Sequence, residues 1–129
     1  MDTQQMVLTA IGPDRPGIVK EISSAIHQSG ANLEDSRMAV LAGDFALIVL
    51  FSGEPDAIEA IKEKCKTIEQ KLNFQITFKP PSGRKEGEHH GLYRFQATGV
   101  DQPGIVHTIS AILAEFDVNV VSLESRLIV

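Results

Sequence analysis

Ile11-Gly12-Pro13-Asp14-Arg15-Pro16-Gly17-Ile18-Val19 ends one kind of structure and opens another. Ahead of it, Met6, Leu8 and Ala10 alternate with Val7, Thr9 and Ile11, a β-rich run that buries at least one face and stops at Gly12-Pro13. Behind it, Ile18, Val19, Ile22, Ala25 and Ile26 recur at helical spacing from Pro16 to Ser29, and Gly30 supplies a C-terminal stop. The same stretch returns as Thr98-Gly99-Val100-Asp101-Gln102-Pro103-Gly104-Ile105-Val106, each residue 87 positions on. Ile109, Ser110, Leu113 and Asn119 then hold the places of Ile22, Ser23, Ile26 and Asn32. Two copies of one supersecondary unit explain the pattern.

Working outward from the first copy, Leu33–Leu41 and Phe45–Ser52 are extended candidates around Ala42-Gly43-Asp44, where glycine accepts the positive φ of a tight hairpin. Pro55 starts a second helix whose Ile58, Ile61, Cys65, Ile68 and Leu72 step by three or four residues. Phe74, Ile76 and Phe78 alternate with polar residues as a fourth strand. The order βαββαβ predicts an α+β, ferredoxin-like split-βαβ fold, with two helices on one face of a four-stranded antiparallel sheet.

Residues 1–79 form this first module. Residues 80–91, rich in proline, glycine and charge, read as a linker. Residues 92–129 form a partial second module, with strands expected at Leu92–Gly99 and Asn119–Val129 and a helix at Pro103–Phe116. A strand, a helix and a strand bury less apolar surface than the full six-element unit, so this truncated βαβ copy is expected to need a cover. The first module, another chain, or residues missing from the sequence could each supply it.

Composition narrows the function. A hydrophobic fraction of 43% and a charged fraction of 22% belong to a folded domain rather than a disordered one. Net charge is −5, the 12 Lys and Arg are scattered, and there is one tyrosine and no tryptophan. Nucleic-acid readers of the same topology need a basic surface and exposed aromatics on the sheet, so direct nucleic-acid binding is not expected. No run approaches the roughly 20 apolar residues of a membrane span, and Met1–Val7 lacks signal-peptide regions. A lone cysteine, Cys65, cannot form an internal disulfide. A cytoplasmic location with no membrane contact follows as the expectation.

The repeated bend carries the chemistry. Asp14 and Asp101 precede Gly17 and Gly104 by three residues, the distance at which an N-cap carboxylate accepts a backbone N–H of the first turn. Glycine lets a ligand or a neighbouring backbone approach the helix start, where free N–H groups and the macrodipole favour an anion such as an α-carboxylate. Asn32 and Asn119, opening the following strand, are candidate acceptors for an amino group. Arg15 could hold an acidic ligand or stand solvated beside Asp14; its counterpart is Gln102. A proline–glycine bend with an aspartate cap also suffices for a stable helix start with no ligand.

No acid–base or nucleophile constellation emerges, so no enzyme, catalytic residue or cofactor is expected. His89-His90 lacks further ligands at metal-site spacing, and no metal is expected. Lys62-Glu63-Lys64-Cys65-Lys66 reads as a solvated helix face around a buried cysteine.

The phrase Ile11–Val19, the stretch Gly30–Ala39 and Gly43-Asp44-Phe45 before an apolar strand resemble the ACT domain, a small-molecule-binding regulatory module. They are similar in particular to tandem ACT-domain repressors of glycine cleavage, and Glu124-Ser125-Arg126 resembles the corresponding strand of the second domain. The resemblance implies control of glycine and one-carbon metabolism through contact with a transcriptional activator protein, with glycine as a possible effector. It implies a ligand site around Asp14, Gly17 and Asn32 and around Asp101, Gly104 and Asn119. Arg15 and the adjoining apolar residues Ile18, Leu33, Ile105 and Val120 extend that site. A homodimer or higher oligomer is expected, because exposed edges of small sheets invite pairing. A regulatory or oligomerisation module of an amino-acid or folate-linked enzyme is the alternative.

Overall fold

The structure, a computed structural model, describes residues 2–83, 91–99 and 104–126. The chain divides into two units, Met1–Lys85 and Glu86–Val129.

The first unit runs β1 (Gln4–Pro13), α1 (Ile18–Gln28), β2 (Asn32–Leu41), β3 (Asp44–Gly53), α2 (Pro55–Leu72) and β4 (Gln75–Lys79). This is the expected βαββαβ order. The strands form one sheet in the order β2-β3-β1-β4, and every neighbouring pair is antiparallel. Alternation decides the faces: Met6, Leu8 and Ala10 of β1 and Phe45, Leu47, Val49 and Phe51 of β3 are buried under the helices. Ile18, Ile22, Ala25 and Ile26 of α1 and Ile58, Ile61, Cys65, Ile68 and Leu72 of α2 close over them as one core. Burying one such isoleucine contributes about 1.5–3 kcal/mol, so the two helical stripes hold the layer together.

The helices bury residues of β1, β3 and β4, while α1 meets β2 without burying any of its residues. Met38 and Val40 stand in register with Leu47 and Phe45 and so share the helix-side face, yet both are about half exposed, at 52% and 51%. A bulge between Leu33 and Asp35 interrupts the pairing near the strand's start. The β2–β3 hairpin closes through Ala42 at φ 52° and Gly43 at φ 84°, both left-handed, as a two-residue type I′ turn requires. At the end of α1 the Gly30 N–H donates to the His27 carbonyl and the Ala31 N–H to the Ile26 carbonyl, the paired bonds of a Schellman stop.

In the second unit α3 (Ile105–Glu115) stands where the repeat places a helix. The strands expected at Leu92–Gly99 and Asn119–Val129 are absent among the described residues: 91–99 and 118–126 pair with nothing as a ladder. A strand exists only through a partner's hydrogen bonds, and among the described residues of this unit neither segment has a neighbouring strand, whereas in the first unit β3 pairs both β1 and β2. α3 accordingly buries none of its residues, and Phe95, Phe116 and Leu123 are exposed. Residues 84–90 of the expected linker, with His89-His90, lie outside the described residues, as do 127–129.

Candidate functional site

The bend between β1 and α1 is built by a proline-fixed backbone and one left-handed residue. Gly17 sits at φ 93° and ψ −6° and caps the helix; the first intrahelical bond runs from the Glu21 N–H to the Gly17 carbonyl at 2.9 Å. The N–H groups of Ile18, Val19 and Lys20 precede that bond and have no intrahelical acceptor. Ile18 turns its side chain into the core and anchors the helix start, leaving its backbone at the rim.

Asp14 is not the helix cap. No side-chain hydrogen bond caps α1; instead the Asp14 backbone N–H donates to the Gly43 carbonyl at 2.9 Å, tying the bend to the β2–β3 turn. The expectation failed because Gly17 itself begins the helix in a left-handed conformation, which turns the chain before a carboxylate three residues earlier can reach a first-turn N–H. Pro16 therefore lies before the cap rather than in the first turn. Asp14 and Arg15 are both exposed and make no ion pair with one another.

Gly104, at the start of α3, repeats the conformation of Gly17. Gly104 lies at φ 86° and ψ 7°, and the Thr108 N–H donates to its carbonyl at 2.8 Å. Ile105 and Val120 are partly exposed, at 39% and 45%. Asp101 lies outside the described residues.

Asn32 and Leu33 are placed away from the first bend. Pro13 pairs with Asp44 and Leu41 also pairs with Asp44, so the bend and the β2–β3 turn share one end of the sheet. Asn32 pairs with Ser52 at the other end, about 26 Å along the strand at 3.3 Å per residue. Asn119 likewise follows the C-terminal end of α3, a helix about 16 Å long, whereas Gly104 opens it. Within one module the asparagine and the helix-opening glycine therefore stand far apart. The residues reached one module through sequence adjacency to a helix, and that helix separates them.

Sequence reasoning saw the Ala42-Gly43 hairpin but not its docking on Asp14. A left-handed alanine beside a glycine fixes a turn without saying which backbone it meets. On the outer face of β2, Arg37 Nη1 donates to Asp35 Oδ1 at 2.7 Å, and this bond, with the Ser36 N–H, holds the Asp35 carboxyl below its ordinary range. Cys65 is a core residue, and burial pushes its thiol up to about 11, with Glu69 adding to the effect. Among the described residues no group of three or more His, Cys, Asp or Glu gathers at metal-binding distance, and no helix is long and apolar enough to cross a membrane.

The ACT domain profile matches residues 4–79, the stretch of β1 through β4. The chain belongs to the ACT domain family. Beyond that module, it is 32% identical over 121 residues to the glycine cleavage system transcriptional repressor of Escherichia coli strain K12, an alignment covering 94% of this chain. The chain spans 64% of the length of that repressor. A crystal structure of a Galdieria sulphuraria protein is 34% identical with a TM-score of 0.68, covering 88% of this chain and 65% of that one. A crystal structure provisionally assigned as a glycine cleavage system transcriptional repressor is 27% identical with a TM-score of 0.66, covering 89% of this ACT protein and 67% of its own chain. The ferredoxin-like fold read from the sequence is thus that of its relatives, and the curated relative with a stated role is a regulator.

Proposed function

We propose that this ACT protein is an amino-acid-responsive regulator of glycine cleavage genes that acts by contact with a transcriptional activator protein rather than on DNA. The observation that carries the reading is the pair of equivalent left-handed glycines, Gly17 and Gly104, each capping a helix whose first-turn N–H groups have no intrahelical acceptor. A free α-carboxylate fits such a position; the contact is worth about 0.3–1 kcal/mol when exposed and up to about 2 kcal/mol when partly buried, so further contacts must hold the rest of the ligand.

Those contacts come from a second module. β2 is an edge strand, and pairing it antiparallel with β2 of a second copy about its midpoint lays Asn32 of one copy opposite Leu41 of the other. Leu41 adjoins the turn that holds Asp14, so the arrangement unites in one place the Asp14–Gly17 bend and the Asn32-Leu33 pair that a single module keeps apart. The half-exposed Met38 and Val40 would be covered in the same step. Glycine, with its carboxylate and amino group and no side chain, is the effector best suited to so tight a seat.

The net charge of −5 supports action through protein rather than through nucleic acid, and a bacterial-type cytoplasmic location accords with that role. Calorimetric titration with glycine, serine and other amino acids, alongside sedimentation of the free and ligand-saturated protein, tests the reading. Heat with glycine or a close analogue from a dimer supports it. No heat with any amino acid would leave an assembly module and end the sensing proposal.

A further inference from the structure

The outer surface of the helical layer holds a groove of about 670 Å³ between α1 and α2, which runs from Gly17 toward Gln28. Lys20 of α1 and Lys64 and Lys71 of α2 line it, and Glu21 is its one carboxylate. Ala25 and Ile68, both buried, form an apolar floor, and Ser24 and Thr67 add hydroxyls. A cationic groove is unexpected on a chain of net charge −5.

The lysines of α2 divide into two kinds. Lys62 and Lys66 each reach the carboxylate three residues earlier, Glu59 at 3.5 Å and Glu63 at 3.0 Å. Lys64 has Ile61 and Ala60 at the positions where such partners would stand, and Lys20 has Gly17 before it and Ser23 and Ser24 after it. Among the described residues neither makes an ion pair, and Lys71 reaches across the groove to Glu21 at 3.3 Å. The sequence thus neutralises the lysines outside the groove and leaves a surplus of positive charge within it.

Spacing defines the ligand. Lys64 and Lys71 are seven residues apart on one helix, about 10.5 Å along its axis, too far for a single phosphate or carboxylate to bridge. A ligand that uses both therefore presents two carboxylates, one to the unpaired Lys64 and one that takes Lys71 in exchange for its exposed pairing with Glu21. We propose that the α1–α2 groove is a docking site for an acidic peptide segment of a partner protein, one presenting two carboxylates roughly 10 Å apart over the Ala25–Ile68 floor. The site uses the face of α1 turned toward α2 and meets the amino-acid seat only at Gly17, so none of the lysines it rests on belongs to that seat.

Fluorescence anisotropy of the full chain with a labelled peptide carrying two glutamates at that spacing tests the assignment, with the glutamine version of the peptide as control. The acidic peptide is expected to bind and to weaken as salt rises. Lys20→Gln and Lys64→Gln should each weaken it by about threefold or more, while Lys62→Gln and Lys66→Gln should leave it unchanged. Three results would overturn the proposal: no binding, equal affinity for the glutamine peptide, or equal losses in all four variants. Displacement by inorganic phosphate as effective as that by unlabelled peptide, at matched ionic strength, would also overturn it, since it would mark a one-anion site. None of these outcomes depends on the response to glycine.

Discussion

The backbone N–H of Asp14 donates to the carbonyl of Gly43 at 2.9 Å and so fastens the β1–α1 bend to the β2–β3 turn. The carboxylate takes no part in that bond. Asp14→Ala should therefore change stability by less than about 0.5 kcal/mol, as an exposed side chain without a partner does. Asp14→Pro removes the donor and should cost about 1–3 kcal/mol. Denaturant unfolding of both variants decides the matter; a loss near 1 kcal/mol for the alanine variant would restore the carboxylate as a cap.

Gly17 has nothing within 4 Å of where a Cβ would stand, yet its φ is 93°. Space is not the constraint at this position; backbone conformation is. Gly17→Ala should destabilise by about 1–2 kcal/mol, and Gly17→Asn by less, because asparagine tolerates the left-handed region better. Thermal unfolding of the two variants checks the order, and an alanine variant as stable as the parent would refute the strain.

Gly12 poses the opposite problem. A Cβ there would lie 2.6 Å from the ring of Phe74, which itself packs on Phe45 with ring centroids 6.2 Å apart. Gly12→Ala should cost about 1–3 kcal/mol through overpacking. A Phe74→Leu partner should recover part of that loss, and a double-mutant cycle showing strict additivity would exclude the contact.

These two glycines show how far the sequence could be read. The Pro-Gly bend, its repetition and the periodic stripes at Ile18–Ile26 and Ile58–Leu72 were legible because each depends on local chemistry and spacing. The whole first module follows from them. Asp14 was misread because cap geometry depends on the φ of a residue three places on, and spacing alone does not reveal it. The distance between Asn32 and the Gly17 of its own module was not legible, because adjacency across a helix is adjacency in sequence, while the helix carries its two ends apart. The strands of the second unit were expected from repetition of the first, which states a capacity for pairing and says nothing of whether a partner strand is present. The groove lysines escaped notice because Lys64 reads like its neighbours Lys62 and Lys66 until α1 is packed beside it.

Cys65 gives a pH signature. Its thiol ordinarily ionises near 9.0, and burial raises that to about 11 in the folded chain. Below the unfolded value both states hold the proton, so the thiol adds no pH dependence. Between about 9 and 11 the unfolded chain loses its proton while the folded chain keeps it, and stability falls as pH rises. Cys65→Ala should remove that part of the slope, at a cost in core packing that is the same at every pH. An identical slope in the variant would assign it to other groups. Thiol reagents at neutral pH should react with the parent only as fast as it opens.

A seat built from two copies makes a stricter demand than a seat within one. Gly17→Val should spoil the bend, because a β-branched residue does not tolerate its left-handed φ, and Asn32→Ala the opposing strand, so either variant alone should bind no glycine. In a mixed dimer, however, one of the two seats takes Gly17 from the Asn32 variant and Asn32 from the Gly17 variant, and is intact. Random re-pairing of equal amounts makes half the dimers mixed, so about one quarter of the seats should return. Calorimetry on the re-equilibrated mixture measures that fraction. Recovery near a quarter requires the two residues to meet across chains. With both single variants inactive, no recovery after verified subunit exchange would mean that Gly17 and Asn32 do not serve one seat between copies, and the β2-paired dimer would lose its functional meaning.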